Sequence, residues 1–386
     1  MSATTTPLDR SFARRVDKVV DRAIEERRIV GTVILVARRG EVIYGRAAGL
    51  ADRESDKPMQ QDAIFRLASV TKPVIATAAL ALVEAGVIGL ADPVTKFIPE
   101  FRPKLTDGSE PVLTIRHLLT HTAGLDYGFR QRTGGPYQRA GISDGLDQPG
   151  LSMAENLSRI ASVPLSFPPG AGWSYSVAMD VLGEAMARAA SETLPDLADR
   201  LIARPLDMSD TAFAVRDQAR LVTPYADGPS GAVAMGEHHL VPFGDGAISF
   251  TPGRTFDTAS FASGGTGMNG TAGDVLRLLE ALRRADGTII RPSTAAAMTK
   301  DAIEGLETTM PGWGWGLGFG VLRDPVAAAT PQAPGTWRWG GVYGHSWFVD
   351  PTLDLTVVAL TNTAIAGMMG AFPDTLRDAI YGRQAG

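Results

Sequence analysis

Cysteine is absent from all 386 residues, which removes disulfides, thiol nucleophiles and cysteine-ligated metal sites together. No apolar run reaches the roughly 20 residues a membrane-spanning helix needs. The amino-terminal MSATTTPLDRSFARRVDKVV has no apolar core of the kind a secretory leader carries. The expectation is a cytoplasmic protein with no membrane partner. An excess of positive charge is missing too: the formal net charge is −5 and the pI near 5.6, which argues against nucleic acid or an anionic membrane as partner. What is present, 44% hydrophobic and 20% charged residues, is ordinary globular composition, long enough for one large or two moderate domains.

Lysine is also scarce, with six in the chain, and only Lys72 has a serine three residues before it. The stretch is FRLASVTKPVIATAALALVEAG, Phe65 to Gly86. Residues three apart on a helix share a face, so a helix starting near Ala68 projects the Ser69 hydroxyl and the Lys72 amine into one space. Pro73 is tolerated in a first turn, where N–H groups have no intrahelical acceptor. Val74 to Val83 is apolar nearly all round, as in a helix buried on every side. Burial disfavours an ammonium, and a neutral amine beside a hydroxyl is a general base beside a nucleophile. The plain alternative is an N-cap serine with a snorkelling lysine, which fits poorly at the head of the most apolar helix in the chain.

Around this stretch the two chain ends share a character the middle lacks. Residues 9–28 carry Phe12, Val16, Val19, Val20 and Ala23 at helical spacing, and 32–37 with 42–47 read as a β-hairpin turning at Arg39-Gly40. Short β-prone runs return at 337–339, 346–350 and 355–361, and a closing amphipathic helix spans 372–381. Between about 92 and 205, helical patterns alternate with Pro- and Gly-rich loops; 114–121 reads as a short helix, 127–147 as a long polar loop and 177–203 as a helical pair. The expected fold class is α+β: an antiparallel sheet flanked by helices, built from 1–66 and 255–386, with a mostly helical domain, 67–254, carrying the nucleophile helix, and the active site in the cleft between them.

Several other residues are candidates for chemistry. Tyr175, in the Gly- and Pro-rich loop PPGAGWSYS (168–176), precedes a helix and can supply a proton at a cleft edge. In WGGVYGHSW (339–347), glycines allow close approach of a ligand to backbone N–H groups and the aromatics suit an apolar substrate, so Trp339, Gly340, Gly341, His345 and Trp347, with Tyr127, are candidate walls. Gly141-Ile-Ser143-Asp-Gly145 matches G-x-S-x-G, but it follows a polar loop and not a buried strand, so Ser143 reads as a chance match. His117 with His121, and His238 with His239, lack the further ligands a metal site needs; they read as structural or exposed, and no metal or cofactor is expected.

Four phrases, FRLASVTK, HLLTHTAGL, the PG…YS loop and WGGVYGHSW, carry a resemblance that spans the chain. It resembles the serine β-lactamase and penicillin-binding-protein superfamily, class C β-lactamase-like, and within it the family VIII carboxylesterases. The resemblance implies Ser69 as nucleophile, Lys72 as its base, Tyr175 as partner in proton transfer, and an oxyanion hole from the backbone N–H groups of Ser69 and Val342. It implies hydrolysis of small, short-chain carboxylic esters, with β-lactam hydrolysis or acyl transfer as the alternative and a non-catalytic binding relative behind both. Two departures from class C β-lactamases bear on substrate. Val177 stands where they have an asparagine two after the tyrosine, and Trp339-Gly340-Gly341 stands where they have Lys-Thr-Gly. The lost amide and cation would hold an acylamino group and a carboxylate, so uncharged esters are expected.

Overall fold

The computed structural model describes residues 8–9, 11–228 and 231–383; residues 1–7 and 10 of the amino-terminal stretch read above for a leader lie outside them. Its frame is an eight-stranded antiparallel sheet. The strands are β1 (Gly31–Arg38), β2 (Glu41–Asp52), β3 (Lys57–Pro58), β4 (Trp313–Trp315), β5 (Gly320–Leu322), β6 (Trp337–Gly341), β7 (His345–Asp350) and β8 (Leu355–Thr361), in the order β4-β5-β6-β7-β8-β1-β2-β3. The join between the two chain ends is β1 against β8, in register from Thr32↔Thr361 to Arg38↔Leu355.

Both faces of this join are covered, which is why β1 reads GTVILVAR, buried almost without alternation. Ile34, Val36, Val357 and Ala359 pack under helix α1 (Phe12–Glu25) and a carboxy-terminal helix, Ala371–Tyr381. The helical spacing of Val16, Val20 and Ala23 is the buried stripe of α1. Val33, Leu35, Val358 and Leu360 turn to the other face and join the main core. That core runs without a break into helix α2 (Thr71–Glu84), whose residues Thr71 to Leu80 are all buried, and into helix α3 (Ala178–Ala190). Helix α4 (Ala272–Arg284) closes the inner face over β1 and β8, and the carboxy-terminal helix is α5.

Two expectations need correction in detail. The helix does not begin at Ala68: Ala68–Val70 is a 3₁₀ turn, and α2 starts at Thr71. Ala68 takes a left-handed φ of 45°, so the turn is a corner between a short strand and the helix. Residues 127–147 are not simply a polar loop. They contain a 3₁₀ turn, Gly128–Arg130, and a helical turn, Pro136–Arg139, because Tyr127, Phe129 and Tyr137 are buried and anchor them. Among the described residues no helix is long and apolar enough to cross a membrane.

Candidate active site

The Ser69 corner is clamped from three sides. Phe65–Arg66 pairs antiparallel with Asn269–Gly270, the Leu67 N–H donates to the Met268 carbonyl (2.9 Å), and the Met268 N–H donates to Thr71 Oγ1 (3.1 Å). Within that clamp Ala68 keeps a conformation costing about 1–3 kcal/mol for a residue with a Cβ. The end of β6 presses on the same corner: a Cβ built on Gly341 would fall 2.4 Å from the Leu67 carbonyl oxygen. Gly341→Ala is therefore expected to displace β6 from the Ser69 turn, destabilising the fold by about 1–3 kcal/mol; denaturant melts of the two proteins check it. A wild-type midpoint would mean the contact is not as tight as described.

At the corner, three side chains converge. Lys72 Nζ lies 3.1 Å from Ser69 Oγ, and the Tyr175 hydroxyl donates to the same Oγ at 2.7 Å. Lys72 Nζ also donates to the Gly265 carbonyl (2.9 Å), and the Trp339 indole N–H donates to the Tyr175 oxygen (3.0 Å). These bonds can run one way: indole to phenol, phenol to Ser69, Ser69 hydroxyl to the amine, amine to Gly265. That direction needs a neutral Lys72. The amine is fully buried, and its burial, opposed by the negative charges of Asp180 and Asp144, brings it down to about 7. Tyr175 moves the other way. Burial raises it above the ordinary phenol value, and the hydrogen bonds with Ser69 and Trp339 only partly offset that. Burial therefore keeps it a proton-bearing donor at neutral pH, against the smaller pull of Arg130.

The surroundings hold this trio in place. Tyr175 sits just before α3; the Ser174 N–H donates to the His121 carbonyl (3.0 Å) and Arg130 Nη1 donates to the Tyr175 carbonyl (3.2 Å). The His121 ring lies 4.9 Å from the Tyr175 ring, and its Nδ1 accepts from the Ser176 N–H (3.2 Å). Burial, with the charges of Lys72 and Arg130, keeps His121 well below the usual histidine range, so it packs as a neutral ring. Asp180 Oδ1 accepts from the Ser263 hydroxyl (2.5 Å) and the Gly265 N–H (3.1 Å), which fixes the carbonyl that Lys72 uses.

A cavity of about 520 Å³ opens on Ser69 and Tyr175 and is lined by Trp173, Phe129, Phe243, Trp339, Trp347 and Val342, among others. Beyond Arg338, β6 is paired only on its β7 side, so its other edge faces this space. The Ser69 and Val342 N–H groups donate to no backbone or side-chain acceptor among the described residues.

The sequence-derived candidates therefore separate. Ser69, Lys72 and Tyr175 come together, and Trp339, Gly340, Trp347 and Val342 line the cavity, whereas Tyr127, Gly341 and His345 do not. Tyr127 is buried behind Tyr175, its ring 5.1 Å from that phenol and 4.7 Å from Phe129. His345 is buried; its Nε2 bonds the Arg66 carbonyl (2.8 Å), and burial lowers it to about 4, so it ties β7 to the strand leading into Ser69. Ser143 donates to Asp147 Oδ1 (2.6 Å) and accepts from the Gly145 N–H (3.1 Å), a buried turn with no part in the cavity. His117 caps its own helix at Thr114. Among the described residues there is no cluster of three or more histidine and acidic side chains that could hold a metal. Residues missed by sequence reading include Trp173, Phe129, Phe243 and Trp315; the Trp-Gly-Trp run 313–315 was a visible signal for one of them.

Known proteins can be set beside this geometry. Residues 16–380 match the beta-lactamase family. The chain is 52% identical to Esterase EstB of Burkholderia gladioli over 97% of its length and 96% of that protein's. It is 30% identical to Acyltransferase calJ of Penicillium decumbens over 85% and 82% of the two chains. The solved structure of EstCE1, described as a hydrolase with promiscuous acyltransferase activity, superposes with a TM-score of 0.93 at 46% identity, covering 96% of this chain and 99% of the other. With a buried amine and a phenol both on one serine at the head of an apolar helix, and a family match along nearly its whole length, the chain belongs to the beta-lactamase family.

Proposed function

We propose that this chain is a serine carboxylesterase of the family VIII kind, hydrolysing short-chain carboxylic esters through an acyl-enzyme on Ser69. The observation that carries the reading is the hydrogen-bonded set Tyr175, Ser69 and Lys72, with the amine brought to about 7. The likeness to an esterase at 52% identity supports it. Ser69 Oγ attacks the ester carbonyl carbon while its proton passes to Lys72 Nζ. The carbonyl oxygen becomes an oxyanion held by the N–H groups of Ser69 and Val342. As the carbon–alkoxy bond breaks, Tyr175 gives its proton to the departing alkoxide and regains one from the Lys72 ammonium. Water then loses a proton to Lys72 as it attacks the acyl carbon, and Ser69 is released with the acid.

The domain division is part of the same proposal: the sheet from 1–66 and 255–386, the mostly helical part from 67–254, and the cleft where Ser69 and Tyr175 of one meet Trp339 and Val342 of the other. The elements on either side support it. So is a cytoplasmic location, which cell fractionation tests.

A panel of p-nitrophenyl esters of rising acyl length, with one cephalosporin, tests the reaction. Turnover of short acyl chains and little or none of the cephalosporin is expected, since Trp339 occupies the place of the carboxylate-binding lysine. Acyl transfer is the second reading, supported by the names of two relatives; added alcohols that divert most of the acyl group from water would favour it. Because the base must be neutral, kcat/KM should rise with pH through about 7 and then level. A profile flat from pH 5 to 9 would remove Lys72 from the role.

A further inference from the structure

The cavity that begins at Ser69 does not end at the aromatic residues. Arg338 and Gly340 alternate along β6 with Trp337, Trp339 and Gly341, so they point to the opposite face of the sheet, beneath α5. There the same cavity is lined by Phe348, Val357, Leu376, Met368 and Arg338. Most of this lobe is apolar, with Ser346 and Gln332 as neutral polar groups in its lining, and its charges are unevenly paired. Arg377 donates to Asp374 (3.0 Å) and Asp378 (2.9 Å). The Arg338 guanidinium makes no hydrogen bond and no ion pair among the described residues; it lies 4.0 Å over the Trp313 ring, and the compensation it receives beyond that is the through-space charge of Asp374. Gln332, also in the lining, carries an amide nitrogen with no acceptor. Burial, with the nearby charge of Arg377, lowers Arg338 to about 10 despite Asp374, as for a cation short of partners.

Resting on the esterase reading above, we propose that this lobe is an anion subsite in which Arg338 receives a carboxylate carried at the far end of the substrate, making half-esters of dicarboxylic acids, or esters of hydroxy acids, a preferred class. A guanidinium presents a planar fork of donors that a carboxylate fills with two bonds, and Arg338 has that fork free. The apolar stretch between accommodates the connecting chain. Arg338 is three residues along β6 from Gly341, which abuts the nucleophile turn, so the carboxylate belongs roughly 10 Å from the scissile carbonyl. The absent strand lysine removes one carboxylate anchor beside Ser69; Arg338 supplies another, farther away and on the other side of the strand. Asp374 works against an anion here, and its engagement by Arg377 limits that effect.

The test compares esters of equal length with and without a terminal carboxylate. On the acyl side, mono-p-nitrophenyl suberate is set against p-nitrophenyl octanoate. On the alcohol side, the butyrate ester of 8-hydroxyoctanoate is set against octyl butyrate. One pair should show kcat/KM at least tenfold in favour of the carboxylate, and which pair does so assigns the chain. In Arg338→Met that ratio should fall about tenfold or more, chiefly through KM, and Arg338→Lys should recover part of it. If the variants do not fold, the wild-type ratio still decides, because an attraction to a cation must weaken as salt is raised. Neutral esters turned over with no carboxylate preference in either pair overturn the subsite and leave the esterase reading standing. No turnover of any of the four overturns both.

Discussion

Ser69→Ala is expected to lower kcat/KM on a p-nitrophenyl ester by about 10⁴-fold or more, to the background rate, since the groups of a nucleophilic set act as a unit and the attacking atom has no substitute. The fold should survive. Ser69 is 6% exposed and sits in a turn held to Met268 by the Leu67 N–H and the Thr71 hydroxyl, neither of which uses the Ser69 side chain. The variant leaves the Tyr175 hydroxyl without its acceptor and the Lys72 amine with Gly265 alone, a loss of about 1 kcal/mol per bond. Melting temperature should therefore move by a few degrees at most, and a fluorophosphonate that labels the wild type should leave the variant unlabelled. Retained turnover in a folded Ser69→Ala protein would mean that the chemistry happens elsewhere.

Lys72→Met carries the second largest effect. Removing a general base commonly costs 10²–10⁴-fold, and the upper part of that range is expected because Tyr175, held protonated, cannot take over. Methionine fills a fully buried site with similar length and no charge to desolvate, so the variant separates catalysis from stability. The pH dependence of stability gives an independent check. The Lys72 pKa is depressed from 10.5 in the unfolded chain to about 7 in the folded one, so the unfolded chain binds the extra proton between those values. Its stabilising contribution is complete above about 10.5 and is lost as pH falls toward 7. Between pH 7 and 9 the wild type should therefore gain melting temperature relative to Lys72→Met. A parallel pair of curves would indicate an amine that keeps its charge in the fold.

How much of this could be read from the residues follows from the range of each interaction. The Ser69–Lys72 pair was legible because i and i+3 on one helical stretch is a local relation, and Tyr175 because its Gly- and Pro-rich loop marks a fixed turn before a helix. The supports were not legible. The Gly265 carbonyl reaches Lys72 across 193 positions of sequence, and His121 reaches Ser176 across 55, so no periodicity records them. His117 and His121, read as structural or exposed, take two different structural roles that spacing does not separate: one is buried against Tyr175 and the other caps its helix. The sheet ends show the same limit. The hairpin β1–β2 and the strand β8 carry long apolar runs, whereas β4 and β5 are three residues each, glycine-containing, and defined only by their partners. Helix α4 has no catalytic residue to draw attention to it, and its apolar stripe belongs to the inner face of the sheet. Tyr127 was placed one layer too far forward, since composition cannot tell the ring that faces the cavity from the ring that backs it.

The central claim, that a neutral Lys72 makes Ser69 the nucleophile, is tested most directly by locating the acyl group during turnover. Wild-type enzyme mixed with p-nitrophenyl butyrate, quenched in acid within the first turnovers and mapped by peptide mass spectrometry, should carry the butyryl group on the peptide containing Ser69, with less of it when the mixing pH lies well below 7. A butyryl group on another residue, Ser143 included, or steady turnover with no acylated peptide, would contradict the account.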